Sequence, residues 1–240
     1  MNALVAQTKA ELVLTLRRGE SVLLVLLIPL LMLGFFSTVD VLPKGGFRDP
    51  VDFLAPGILA LAVMSTGMVQ LAIGTAFERQ YGVLKRLGST PLGRPRLLTA
   101  KTLSIVAVEV LQVVLLVGLA IALGWSPHAA AGAAAAVALG TIAFAGLGLL
   151  MAGTLRGEVT LAAANGLYLV LLLTGGMVVP VTELPSVVRS IAELLPAAAL
   201  VEALTGTLTN GGGVSAKAWI VLAVWAVAAP AAAAATFRWE

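Results

Sequence analysis

Six separate stretches of apolar residues, each about as long as a bilayer is thick when helical, constrain this chain more than any other feature. In addition, 60% of the 240 residues are hydrophobic and 11% are charged, whereas a soluble domain has about 25% charged residues. The sequence therefore predicts an all-α integral membrane protein that forms a single domain over residues 1–240. The predicted spans are residues 21–39, 53–77, 102–124, 129–155, 159–179 and 216–236.

The basic residues between these spans are unevenly distributed. Eleven of the 15 lysines and arginines lie in the segments on the N-terminal side, and four lie in the segments on the opposite side. Because cytoplasmic loops retain Lys and Arg, this distribution predicts that both termini are cytoplasmic. The segment between the second and third spans alone holds six of the eleven, namely Arg79, Lys85, Arg86, Arg94, Arg96 and Lys101.

Two shorter segments show an amphipathic pattern. The residues up to Arg18 predict a helix along the cytoplasmic interface, with Glu11 outside its apolar face; an ordinary basic tail is the alternative. Between Pro185 and Pro196, apolar residues at helical spacing predict a short helix in the outer interface. Small residues in the fourth span predict close helix packing; they are Gly132, Ala136, Gly140, Gly148 and Ala152.

Several kinds of chemistry are excluded by residues that the sequence lacks. It has no cysteine and one histidine, His128, so thiolate metal sites and the usual catalytic sets cannot be assembled, and no metal site is predicted. None of the five lysines ends a P-loop sequence. If the protein moves a substrate against a gradient, the energy comes from an ion gradient or from another polypeptide.

Polar residues inside the predicted spans are few. Glu109 lies about two helical turns into the third span, and Gln112 follows one turn later on the same face. These two residues line a substrate route or, alternatively, make buried hydrogen bonds between helices. Gln70 and Asn165 are further candidates for a substrate path, with interhelical hydrogen bonding as the favoured interpretation.

The segment after the second span has a distinctive residue order. It reads Glu-Arg-x-x-Gly-x-Leu-x-x-Leu-x-x-Thr-Pro-Leu from Glu78 to Leu92. Val83, Leu84 and Leu87 form a small apolar stripe beside basic residues, and Pro91 ends any helix that begins near Glu78. Composition alone also allows a basic loop that serves only topology.

This residue order, at the end of the second of six spans, closely resembles the permease subunits of ABC-2 type exporters, including the drug-resistance and nodulation-factor branches. In that family the loop forms a coupling helix that seats in a groove of the ATP-binding subunit. The resemblance therefore implies an ATPase-coupling role for a defined set of residues: Glu78, Arg79, Gly82, Val83, Leu84, Lys85, Arg86, Leu87, Thr90 and Pro91.

The same resemblance implies the rest of the assembly. Two membrane subunits, as a homodimer, would work with two copies of an ABC ATP-binding subunit, which bind ATP and Mg²⁺; this chain itself holds no cofactor and contacts no nucleic acid. The expected location is the cytoplasmic membrane of a bacterium, and the expected activity is export of an amphipathic, drug-like or lipid-linked substrate. The alternatives are an ion-coupled carrier that uses Glu109, and a non-transporting scaffold or sensor for an ATPase.

Overall fold

The computed structural model describes residues 3–17, 19–39, 49–88, 93–209 and 213–238, and the regular structure in these ranges is entirely helical. The helices are α1 (Ala3–Arg17), α2 (Gly19–Thr38), α3 (Pro50–Met64), α4 (Leu71–Gln80), α5 (Val83–Gly88), α6 (Arg94–Ala122), α7 (Ala130–Thr154), α8 (Gly157–Thr174), α9 (Ser186–Ala192), α10 (Pro196–Leu208) and α11 (Ala216–Thr236). A π-helical segment, Ser65–Gln70, joins α3 to α4, and a 3-10 turn, Val181–Glu183, precedes α9.

Five of these helical stretches are long and apolar enough to cross a bilayer: Pro50–Gln80, Arg96–Ala122, Ala131–Thr154, Gly157–Thr174 and Ala216–Thr236. They coincide with the second to sixth predicted spans. The first predicted span coincides with α2, in which the shorter segment Val25–Thr38 is apolar. The fifth ends at Thr174 rather than 179, because Gly175 and then Gly176, in the left-handed region with φ of 79°, stop the helix.

The fourth span, α7, packs closely against its neighbours at the predicted small residues. A Cβ atom at Gly140 would lie 2.9 Å from a Leu200 methyl carbon of α10, and one at Gly148 would lie 2.7 Å from the carbonyl oxygen of Met68. Ala136 and Ala152 are completely buried. The small residues therefore allow α10 and the π-helical segment to approach the α7 backbone, as the sequence pattern predicts.

Helix α10 is an element that the sequence pattern did not reveal. Its 13 residues are too few to cross a bilayer, yet almost all of them are buried, and it packs against α3, α7 and α11. Pro196 begins the helix at a position where its missing N–H costs nothing. The segment between Pro185 and Pro196 contains the helix α9, which ends at Ala192 and is therefore shorter than the amphipathic pattern predicts.

An ion-pair cluster links α9 to the start of α11. Glu193 accepts hydrogen bonds from Lys217 Nζ at 2.6 Å and from Arg189 Nε at 2.9 Å. These bonds, first from Lys217 and then from Arg189, hold the pKa of Glu193 below its usual value. Because the cluster is exposed, it fixes geometry more than it adds stability.

Candidate functional site

The short helix α5 is attached to the end of α4 by a tight turn. The Tyr81 N–H donates to the Phe77 carbonyl at 2.9 Å, and the Gly82 N–H donates to the Arg79 carbonyl at 3.0 Å. Gly82 has a φ of 71°, a conformation that side chains with a Cβ atom rarely adopt. This glycine therefore lets the chain turn after α4 and begin α5 immediately.

Helix α5 has one buried face and one exposed face. Leu84 is completely buried in a cluster with Leu71, Leu97 and Phe237, and Leu87 packs against the same cluster. Tyr81 is 72% exposed, and Val83, Lys85 and Arg86 are exposed beside it. The predicted apolar stripe is thus divided, because Val83 points outward while Leu84 and Leu87 anchor the helix to the bundle. Thr90 and Pro91 lie outside the described residues.

Next to α5, a buried ion cluster joins three helices. Lys101 of α6 is 2% exposed, and its Nζ lies 3.0 Å from Glu11 Oε2 of α1 and also pairs with Glu78 of α4. The Gln7 amide nitrogen donates to Glu11 Oε1 at 2.8 Å. This Glu11–Lys101–Glu78 cluster ties the N-terminal helix to the two spans that flank α5.

Glu11 lies outside the apolar face of α1, as the amphipathic pattern predicts, but its side of the helix is the buried one. Glu11 is 6% exposed, whereas Val5, Val13 and Leu16 of the apolar face are exposed. Where lipid is the solvent, apolar side chains face outward at little cost, and a carboxylate is stable only when it finds a partner inside. Lys101 supplies that partner.

A second contact ties α4 to the end of α7. Arg79 Nη2 donates to the carbonyl oxygen of Leu155, the residue that follows α7. At the same place, the backbone N–H of Arg238 donates to the Gly153 carbonyl at 3.1 Å. Carbonyl groups at a helix end lack partners within the helix, so these donors satisfy them while joining α4, α7 and the residues after α11.

Deeper in the bundle, Glu109 and Gln112 bond to different helices. Glu109 is 2% exposed and its Oε2 accepts a 2.6 Å hydrogen bond from Thr141 of α7. Gln112 accepts a 2.8 Å bond from Thr66 in the π-helical segment. Its amide nitrogen donates to the Val25 carbonyl of α2 at 2.9 Å. Both residues are therefore buried, and they link α6 to three other elements.

The bond to Val25 has a local cause in α2. Pro29 lies four residues later and has no N–H, so the Val25 carbonyl has no partner within its own helix. Gln112 of the neighbouring helix α6 donates the missing hydrogen bond and also accepts one from Thr66. The Gln112 side chain thus links the part of α2 around Pro29 to the π-helical segment.

We expect Gln112→Leu to lower the free energy of unfolding by about 1–3 kcal/mol, because it leaves the Thr66 hydroxyl and the Val25 carbonyl without partners. Pro29→Ala restores an N–H that bonds the Val25 carbonyl. In that background Gln112→Leu is expected to cost about 1 kcal/mol less. Thermal unfolding of the four proteins in this double-mutant cycle measures the difference; strictly additive effects would contradict the assignment.

The two other candidate polar residues lie elsewhere. Gln70 lines a cavity beside the Glu11–Lys101–Glu78 cluster. Asn165 is exposed on α8, where it lines another cavity and its Nδ2 donates to the Leu161 carbonyl of the same helix at 2.8 Å; it has no interhelical hydrogen bond within the described residues. The four predicted path residues therefore do not converge on a single site.

Three polar partners in these contacts were not predicted. Glu11, Thr66 and Thr141 pair with residues 90, 46 and 32 positions away in the sequence. Hydrophobic periodicity contains no information about pairs at such separations. Pro29 was the one available signal, since a proline inside a span indicates a carbonyl that needs a donor from elsewhere.

Taken together, these features define a multi-pass all-α membrane protein in which a small helix is fixed to the ends of two spans. Comparison with known families agrees with this class. Residues 2–209 match the family described as ABC-2 type transporter, and the chain belongs to that family. It is also similar to a Bacillus subtilis (strain 168) protein named "Putative transport permease YvfS", with 28% identity over 199 residues, 82% of this chain and 81% of the relative. Family membership implies a partnership with an ABC ATP-binding subunit.

Proposed function

We propose that this chain is the membrane permease subunit of an ABC exporter and that a separate ATPase drives it through α5. The observation that carries the proposal is the division of α5 into two faces. Leu84 holds the helix rigidly on the bundle, and Tyr81, Val83, Lys85 and Arg86 are presented outward. A partner that contacts the outward face can therefore move the ends of the spans to which the helix is attached.

The contacts around α5 support a route for that movement. Displacement of α5 acts directly on α4, and the Glu11–Lys101–Glu78 cluster transmits it to α1 and α6. Arg79 carries it to the end of α7. ATP binding that closes the nucleotide-binding subunits would shift these elements together, and a rearrangement of packed helices would open a path for cargo.

In this proposal the protein has six spans, with α2 as the first. Helix α1 lies along the cytoplasmic interface and α9 along the outer one, since both expose apolar side chains at their surfaces. Both termini are cytoplasmic, following the distribution of basic residues, and the membrane is the inner membrane of a bacterium. The sparse polarity of the spans supports an amphipathic, drug-like or lipid-linked cargo.

The exposed position of Asn165 supports a dimer of this chain. A polar amide on the lipid-facing surface of a span is unfavourable, because lipid offers no hydrogen-bonding partner. Asn165 lies on α8 between the exposed apolar residues Leu161 and Leu169. A second copy packed against α8 would remove this amide from lipid. Two copies would then present two α5 helices to two ATPase subunits.

The coupling role is tested by charge reversal on the exposed face of α5. We expect the double variant Lys85→Glu/Arg86→Glu to lose co-purification with the cognate ABC ATPase and cargo-stimulated ATP hydrolysis by tenfold or more. The matched control is Lys9→Glu/Arg17→Glu on α1, which changes the same charge on exposed positions and leaves both readouts within twofold. Equal loss in both variants, or transport by the chain without any ATPase, would refute the proposal.

The same assay separates the two alternatives. An ion-coupled carrier loses transport in Glu109→Gln and when the proton gradient is dissipated, whereas the exporter loses it when the ATPase is removed. A scaffold binds the ATPase but shows no stimulation of ATP hydrolysis by any amphipathic cargo. Glu109 favours neither alternative by itself, because its bond to Thr141 also has a structural role.

A further inference from the structure

A cavity of about 290 Å³ lies between the N-terminal helix and the spans α2, α4 and α6. The residues that line it include Glu11, Glu78 and Lys101 of the ion cluster, and also Gln70 and Thr75. Ligand sites are typically concave, mostly apolar and equipped with a few convergent polar groups. The cavity has this character, because leucine, isoleucine and valine side chains make up much of the remaining lining.

Two polar atoms at this cavity lack hydrogen bonds within the described part of the chain. Thr75 is 1% exposed and its Oγ1 has no partner, and the buried Oε1 of Gln70 has none. Burying such atoms without partners is costly, so these two are expected to meet a ligand. The Gln70 oxygen can only accept a hydrogen bond, and the hydroxyl of Thr75 offers a second acceptor.

The charges at the cavity favour a cation over an anion. Lys101 Nζ already lies between the carboxylates of Glu11 and Glu78, so its charge is matched. An anionic headgroup would therefore face two carboxylates and the acceptor oxygen of Gln70. A positively charged hydrogen-bond donor would find acceptors for its N–H groups instead.

A second, mainly apolar cavity of about 210 Å³ adjoins the first. The two share Val25, Ser65 and Val69 in their linings. The second continues along α2 past Ile28 and Pro29 to Asn165 and Tyr168 of α8. A polar compartment next to an apolar compartment, with lining residues in common, matches a molecule with a headgroup and an alkyl chain.

We propose that these two cavities form a binding site for an amphipath with an ammonium headgroup. The headgroup lies in the first cavity against Gln70 and Thr75, and the alkyl chain extends past Ser65 into the second. Binding at this site does not depend on the proposed function. The identification of the bound molecule as the exported cargo does rest on it.

The test uses two fluorescent probes of matched length, N-dansyl-1,11-diaminoundecane and 11-(dansylamino)undecanoic acid, with the full chain in phosphatidylcholine nanodiscs. We expect saturable binding of the amine and at least tenfold weaker binding of the acid. The double variant Gln70→Leu/Thr75→Val should weaken amine binding by roughly tenfold to thirtyfold, as expected for two lost hydrogen bonds. The control Ser37→Ala removes another buried hydroxyl that lacks a partner and lines neither cavity, and should bind the amine normally.

A second variant protects the test against misfolding of the first. Ser65→Leu fills the junction between the cavities and should abolish amine binding while the protein remains monodisperse. Nanodiscs that include phosphatidylethanolamine distinguish the source of the ammonium group. If this lipid competes with the amine probe, the site is assigned to a membrane lipid. If the lipid does not compete, the site is assigned to free cationic amphipaths. Equal binding of amine and acid, or amine binding unchanged in both cavity variants, overturns the site. Because no ATP is present, that failure leaves the exporter proposal intact.

Discussion

Lys101→Met is expected to lower the free energy of unfolding by about 3–5 kcal/mol, because it leaves the buried carboxylate of Glu11 and the partly buried carboxylate of Glu78 without their shared cation. The measurement is thermal unfolding of the purified protein in one detergent. In complex with the ATPase, the variant should also lose cargo-stimulated hydrolysis, since α1 and α6 are no longer tied to the span that carries α5.

The control for this variant is Lys9→Met, which removes a lysine from an exposed position of α1. Surface substitutions of this kind usually change stability by less than about 0.5 kcal/mol. The double variant Glu11→Leu/Lys101→Met removes one of the two carboxylates together with the cation. It should recover part of the lost stability but not the cargo-stimulated hydrolysis. A Lys101→Met protein as stable as the unchanged chain would contradict the role assigned to the cluster.

Gly146→Ala is expected to destabilise the bundle by about 3 kcal/mol. A Cβ atom at Gly146 of α7 would lie 2.5 Å from the nitrogen and 2.6 Å from the Cδ atom of Pro230 in α11. Backbone and ring atoms cannot turn aside as a flexible side chain can, so the two helices must separate. Loss of packing along α7 and α11 should appear as a lower midpoint of thermal unfolding and faster proteolysis.

Gly118→Ala on α6 is the matched control. Among the described residues, no atom outside the adjoining backbone of α6 lies within 4 Å of the Cβ position there, so the expected effect is the better helix propensity of alanine. We expect a gain of about 0.5–1 kcal/mol. Equal effects of the two substitutions would show that the approach of α7 to α11 is not as close as the structure has it.

Much of the fold could be predicted because each span is a local property of the chain. A run of about 20 apolar residues must be helical in lipid whatever its neighbours are, since its backbone groups can bond only within the segment. The close packing at the small residues of α7 could likewise be predicted, because glycines such as Gly140 and Gly148 within a span allow another helix to approach. Helix α10 escaped prediction because 13 mainly apolar residues that begin at Pro196 are equally consistent with a loop or with part of a longer span.

The residues of the candidate site were predictable only in part. The order Glu78 to Leu87 indicated a coupling helix through a family resemblance, but not which side chains would face outward. Periodicity grouped Val83 with Leu84 and Leu87, while packing separated them. Similarly, Glu109 and Gln112 share a helix face, yet their partners come from α7, α2 and the π-helical segment.

Hydrophobicity along the chain by itself determined the approximate limits of the five long apolar helices that the described residues contain, because transfer of each helix to lipid depends on its own residues. Pairing across helices was decided by the tertiary structure alone. Lys101 has two carboxylate partners only because α1 and α4 meet at the start of α6, and the oxygens of Gln70 and Thr75 share one cavity only through the same packing. A buried charge or polar atom is stable only with a partner. That partner comes from a residue far away in the sequence, so local sequence patterns do not reveal it.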